Sequence, residues 1–193
     1  CMTNLILHDV EVPNIRHDNS LARPIIDYTD KDKVDIVVTN PPFGGAEEEG
    51  IENNFPAEFR TRETADLFLV LIMKLLRDDG KCGLVLPDGF LFGEGIKTRI
   101  KEKLLSEFNM HTIVRLPNGV FNPYTGIRTN LLFFERGKPT KEIWYFEHPL
   151  PENYKTYGKT KPMSHEEFQL EKEWWNNRED EKFKQYAWKI SID

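Results

Sequence analysis

Asn40-Pro41-Pro42-Phe43 is the stretch whose residue types permit chemistry. The Asn40 side-chain carbonyl and the Pro41 main-chain carbonyl are adjacent acceptors, and Phe43 adds a flat apolar ring. Together they fit a planar amide or an aromatic amine. Both protons of an NH2 group can be accepted while the attached ring stacks on Phe43, which draws the nitrogen lone pair out of conjugation and aims it at an electrophile. Asn-Pro and Pro-Pro are also ordinary turn signals, and on that reading the tetrapeptide does no chemistry. A chance match in a chain this long is expected in roughly one sequence in a thousand. The order strand, Asn-Pro-Pro-Phe, glycines favours a site.

The run Val34–Thr39, rich in β-branched residues, reads as a buried strand that ends at the motif. The two prolines exclude both a continuing ladder and a helix, and each keeps the residue before it out of helical torsions. Residues 44–62 are polar and include Glu47-Glu48-Glu49, which predicts a mobile surface loop with a solvated acidic face. Thr64–Arg77 then predicts a buried helix capped by Thr64, with Asp66 in its first turn and Gly80 past its end.

Lys81–Pro87 reads as a strand. Ile96, Ile100, Leu104 and Leu105 line one face of an amphipathic helix whose Lys97, Arg99, Lys101 and Lys103 are expected in solvent. His111–Pro117 and Arg128–Arg136 are further strands around a turn-rich loop, and Glu142–Glu147 makes one more. This is an open α/β pattern, whose ligands bind at the carboxyl ends of the strands. At the amino end, Met2–His8 reads as the end of a helix or as a short apolar segment. Asn14–His17 reads as a short strand leading into Asp18-Asn19-Ser20-Leu21, which by itself is a helix cap or an Asx-turn. Ser164 and Glu167 form a capping-box signal for a helix through Trp175, with Trp174, Trp175 and Trp188 as docking residues.

The 193 residues suffice for one domain with a sizeable core, and no apolar run reaches membrane-spanning length, so a soluble protein without membrane contact is expected. A net charge of -6 argues against tight, non-specific nucleic-acid binding by this chain alone, so a role on DNA needs another chain or segment. Cys1 and Cys82 lie far apart, which indicates neither a disulfide framework nor a metal site and makes a reducing cytoplasm the expectation. The opening Cys-Met-Thr suggests a piece of a longer protein.

Asn-Pro-Pro-Phe after a strand resembles the signature of S-adenosylmethionine-dependent amino-methyltransferases, namely Asn or Asp, Pro, Pro, Tyr or Phe. With Asn4–His8, Asn19-Ser20-Leu21, Gly83–Gly89 and Leu116–Phe121, the order and spacing resemble the methylase subunit of type I restriction-modification systems, an N6-adenine DNA methyltransferase family. The resemblance implies a Rossmann-like methyltransferase sheet with flanking helices. It implies transfer of a methyl group from S-adenosylmethionine to a flipped adenine in DNA. It also implies a specificity subunit and a restriction subunit as partners, in a bacterial or archaeal cytoplasm.

Carried onto this sequence, the family pattern makes Asn40, Pro41, Pro42 and Phe43 the catalytic residues, with Phe43 and Phe121 as stacking faces for the target base. Asn19, with Asp18 beside it, takes the place that touches the cofactor adenine. Apart from the family pattern, Arg128 and Thr129, just after the Phe121 loop, are residues that could hold a DNA phosphate. The glycine-rich turn for the cofactor's methionine part and the acidic residue for its ribose are not found. Residues 1–147 are therefore expected to be the half of a catalytic domain that carries the Asn-Pro-Pro-Phe motif, lacking its first strand or strands. Residues 148–193 are expected to be an irregular and helical extension leading to a missing carboxy-terminal region, and this span alone is expected to be inactive. A methylase of protein glutamine amides and an inactive assembly module of a restriction complex are the alternatives.

Overall fold

The computed structural model describes residues 2–192, so Cys1 lies outside the described residues. Six strands, β1 (Val34–Thr39), β2 (Leu76–Pro87), β3 (Phe108–Arg115), β4 (Thr129–Arg136), β5 (Glu142–Glu147) and β6 (Ala187–Ser191), form one sheet in the order β1-β2-β4-β3-β5-β6. β1 and β2 are parallel, as are β3 and β5, whereas β4 and β6 run against their neighbours. β1, β2, β3 and β5 consequently end on the same side of the molecule.

The helices are α1 (Met2–Leu7), α2 (Thr64–Leu75), α3 (Asp88–Phe92), α4 (Ile96–Glu107) and α5 (Gln169–Asn176). Period-two alternation sends Leu132 and Phe134 of β4 to the face covered by α2 and α4, and Leu131 and Phe133 to the face covered by α5. α2 is apolar nearly all round because it is buried between the sheet and α4, with Leu67, Leu69, Val70, Leu71, Ile72 and Met73 in the core. Each such side chain contributes roughly 1.5–3 kcal/mol by leaving water. Ile100 and Leu104 form the buried stripe expected of α4.

Several expectations are revised. β1 is not buried: Ile36 and Val38 are 68% and 83% exposed. It is an edge strand, paired on one side only, and among the described residues no layer covers these side chains. Asn14–His17 forms no strand. The 44–62 loop is anchored rather than loose. Phe55 and Phe59 are buried, two 3-10 turns (Ile51–Asn54 and Ala57–Phe59) shape it, and Asn54 donates to the carbonyls of Leu21 and Ala22.

Thr64 is the first helical residue of α2, not its cap, and gives its hydroxyl to Glu47 Oε1 at 2.7 Å. Gly80 lies within β2 instead of past a helix end. The basic face of α4 is only partly solvated, because Lys97 pairs with Glu63 and the buried Asp66 while Lys101 donates to the carbonyls of Leu91 and Gly93. Burial pushes the Asp66 carboxyl above its ordinary range. Burial also works against the Lys97 ammonium, but its two carboxylate partners outweigh that and hold its pKa above the usual lysine value.

Residues beyond 147 belong to the same sheet. β6 pairs with β5, Trp174 is fully buried on the second face, and Trp188 stacks on Tyr145 with ring centroids 5.6 Å apart. The Ser164–Glu167 capping box is present and leads into α5.

Candidate active site

The carboxyl ends of β1, β2, β3 and β5 gather Asn40, Asp88, the loop after Arg115, and His148 on one side of the sheet. At the end of β1, Asn40 is exposed, Pro41 is buried, Pro42 is exposed and Phe43 is half-buried. Burial fixes the proline, and the amide side chain is left in the open. Gly44 has φ +64°, a left-handed turn that a side chain would strain, and a Cβ there would sit 3.8 Å from Ile127. The motif thus lies against the loop 116–128.

That loop carries Phe121, which meets Phe43 edge to face with ring centroids 5.4 Å apart and planes at 78°. Its position depends on residues far away in sequence. The Asn118 carbonyl accepts from the Tyr157 N–H at 3.1 Å and the Thr156 hydroxyl at 2.9 Å, and Asn122 Nδ2 donates to the Tyr157 carbonyl at 3.1 Å. Gly119 has φ +79° and no space for a Cβ, which would lie 2.4 Å from both Thr156 Oγ1 and the Tyr157 carbonyl. Tyr157 is fully buried, and its hydroxyl donates to Glu167. At the other end of the loop, Arg128 Nε donates to Asn118 Oδ1, and the Leu116 N–H donates to the Thr129 carbonyl at 3.0 Å.

A second polar cluster joins three strand ends. Asp88 accepts from Arg115 Nη2 at 3.0 Å and from Asn130 Nδ2 at 2.7 Å, and its own N–H donates to the Arg128 carbonyl at 2.9 Å. Asn130 is buried, so its amide needs such a partner. Sequence reasoning singled out neither this cluster nor Thr156 and Tyr157. The only local signals were Pro-Asp-Gly after a strand and an irregular Lys/Tyr/Gly-rich stretch.

Asn19 Oδ1 accepts from the Leu21 N–H at 2.9 Å, and Asp18 Oδ1 accepts from the Asn19 N–H at 2.8 Å, so the segment is an Asx-turn. Asn19 Nδ2 donates to Glu47 Oε2 at 3.3 Å, which ties this turn through Glu47 to Thr64. Both Asp18 and Asn19 are exposed, and one lone pair of the Asn19 carbonyl is still open to a donor. Arg128 is exposed, whereas Thr129 is only 1% exposed at the start of β4, inside the sheet and out of reach of a phosphate.

Cys82 is buried, and burial pushes its thiol up to about 12, which removes it as a nucleophile. Among the described residues no group of three or more His, Cys, Asp or Glu side chains is placed to hold a metal ion, and no helix is long and apolar enough to cross a membrane. An open depression of about 830 Å³ lies at the amino ends of β3 and β5, beside Asn109 and Glu142, on the opposite side of the sheet from Asn40.

The constellation at the carboxyl ends is an exposed amide acceptor and a neighbouring carbonyl on a proline-fixed backbone, flanked by two aromatic rings. It can hold a planar amine for attack on an electrophile, provided the rings separate.

Comparison with known proteins places this geometry among relatives. The chain is 60% identical over 198 residues to the methylase subunit of the type I restriction enzyme EcoEI of Escherichia coli, covering all of this chain and 40% of that subunit. Among solved structures, a chain from a study of complex assembly and conformational transition of a type I restriction-modification system superposes with a TM-score of 0.89 at 41% identity. That match covers 97% of this chain and 40% of the other. The EcoKI M protein superposes with a TM-score of 0.72 at 31% identity, over 87% of this chain and 36% of its own. The chain thus spans about two fifths of the length of the EcoEI relative. The family model for N-6 DNA Methylase matches residues 1–193, and the chain belongs to that family.

Proposed function

We propose that this chain is part of the methylase subunit of a type I restriction-modification system, a DNA adenine-N6 methyltransferase that works in a bacterial or archaeal cytoplasm with a specificity subunit and a restriction subunit. The observation that carries the reading is Asn40 and Pro41 at the end of β1 with Phe43 set against Phe121. S-adenosylmethionine, when bound, supplies an electrophilic methyl group. Asn40 Oδ1 and the Pro41 carbonyl accept the two amine protons of an adenine turned out of the duplex, while Phe43 and Phe121 take its two faces. Held in this way, the amine lone pair would face the methyl group that bound S-adenosylmethionine would supply, and the surplus amine proton would pass to water. No covalent enzyme intermediate is formed, in keeping with the inert Cys82.

The described residues fit only one end of that cofactor. Asn19, with an open lone pair beside Asp18, suits the adenine amine, but both are exposed and no described residue encloses a methionine moiety. Residues 2–192 alone are accordingly inactive, and cofactor binding by this span would contradict that.

The test uses the full-length protein with its specificity subunit, labelled S-adenosylmethionine and duplex genomic DNA, with N6-methyladenine read by mass spectrometry of the digested nucleosides. Methyladenine that forms at least about 10²-fold more slowly with Asn40→Ala is the expected result. Label in protein glutamine instead of DNA, or no transfer at all by the wild type, overturns the reading.

A further inference from the structure

A cleft of about 380 Å³ opens beside the loop 116–128 at the carboxyl ends of β3 and β5, with Arg115, Arg128 and Lys155 in its lining. One carboxylate, Glu147, also lines it and Asp88 pairs with Arg115 from behind, so three cations stand against two anions in a chain whose net charge is -6. We propose that this cleft binds a phosphodiester of the DNA strand next to the target adenine. The proposal rests on the DNA-methylation reading and adds a site to it.

Three features of the lining carry the inference. Asp88 holds Arg115 Nη2 at 3.0 Å, which fixes the guanidinium in place, while Arg115 Nε is buried without a hydrogen-bond partner among the described residues. Nε itself is out of reach of the cleft, so what Arg115 offers an anion there is the charge of a guanidinium held in place in the wall. Arg128 gives only Nε to Asn118, which keeps the rest of its planar fork for a second acceptor. Lys155 has no ion-pair partner within the described residues, so its ammonium costs nothing to redirect.

The place identifies the kind of anion. Asn118 and Arg128, the two ends of the loop that carries Phe121, both line the cleft, so an anion there sits at the base of the ring that closes on Phe43. S-adenosylmethionine carries no phosphate, which leaves the nucleic-acid backbone as the source. Arg and Lys on a backbone phosphate position a strand without reading its sequence. That suits an acidic chain that leaves base reading to a partner. The volume is within the range that accepts a sugar-phosphate unit.

The test measures DNA affinity against salt concentration for the full-length methylase assembled with its specificity subunit, on a cognate and a scrambled duplex. Lys155→Gln and Arg128→Gln are each expected to lower the slope of log affinity against log salt by roughly 1, equally on both duplexes. Lys155→Arg restores it, and Asn40→Ala leaves it unmoved while methyl transfer is lost. Lys155 makes no bond to the Phe121 loop, so its variants separate charge from loop distortion. Unchanged slopes in both Gln variants, with methylation still dependent on Asn40, would overturn the cleft and leave the proposed function standing. A wild-type complex that neither binds DNA nor makes methyladenine would overturn both.

Discussion

Phe43 and Phe121 touch: their ring centroids are 5.4 Å apart and their planes stand at 78°. A base held between two parallel rings needs them roughly 7 Å apart, twice a van der Waals contact of about 3.5 Å. The observed pair is therefore a closed arrangement in which the edge of one ring covers the stacking face of the other. An edge-to-face pair of this kind contributes about 0.5–1.5 kcal/mol, little enough for a stacked base to replace it.

Phe121→Ala in the full-length enzyme is expected to slow methyl transfer by about 10- to 100-fold, since base stacking on one aromatic ring is worth roughly 1–3 kcal/mol. Affinity for duplex DNA should stay within a few-fold, and Phe121→Trp should recover most of the rate. Single-turnover transfer and DNA binding, measured side by side, check this.

Asn40→Ala should lower the transfer rate by about 10²–10³-fold, the range seen when one preorganised hydrogen-bonding group at a reaction centre is removed. Asn40 is exposed, so the melting temperature of the variant should match the wild type. Asn40→Asp keeps an acceptor and should retain part of the rate. A variant that loses stability along with activity would show a structural role instead.

Lys97→Met strands the Asp66 carboxylate, which is 2% exposed, between α2 and α4. Breaking a buried pair in this way is expected to cost about 3 kcal/mol, seen as a lower urea midpoint. Asp66→Asn with Lys97→Met should recover much of it. Equal midpoints for wild type and Lys97→Met would mean the pair is not coupled to folding.

His111 lies edge-on to Trp175 with ring centroids 5.8 Å apart. Burial, then the Arg178 charge, holds its pKa below the ordinary histidine value near about 6.5. As pH falls through that ordinary value the unfolded chain takes up the proton first, so folding stability drops until the folded pKa is passed. Above about 6.5 His111 contributes its full share. His111→Gln should flatten this part of the stability–pH curve measured by denaturant titration between pH 7 and 5, and an unchanged curve would remove His111 as the cause.

The exposed edge of β1, with Ile36 and Val38 uncovered, is a template for pairing with another strand. The 193-residue span expressed by itself is expected to self-associate in light scattering. Val38→Lys should reduce that association, and a wild-type span that stays monomeric at high concentration would count against it.

The elements most legible in the sequence were those with an unambiguous period or a stop signal. α4 with its Ile100 and Leu104 stripe, the Ser164 capping box, and the end of β1 at Pro41-Pro42 all follow from local geometry. Asn19 shows the limit of that reading, since its Asx-turn to the Leu21 N–H is local and legible whereas its link to Glu47 comes from a partner in another loop. Arg128 and Thr129 show another: Arg128 ends the exposed loop and Thr129 opens β4 inside the sheet, so one is exposed and the other buried.

The sequence by itself determined the chemistry on offer, an amide and a carbonyl on a proline-fixed backbone beside an aromatic ring, and the α/β rhythm that puts it at a strand end. Only the tertiary structure decided that Phe121 touches Phe43 edge to face, that Thr156 and Tyr157 hold the Phe121 loop, and that β1 has one strand partner among the described residues. Strand order and long-range hydrogen bonds set those relations. An apolar run reports that its side chains favour contact and says nothing about which strand will supply it.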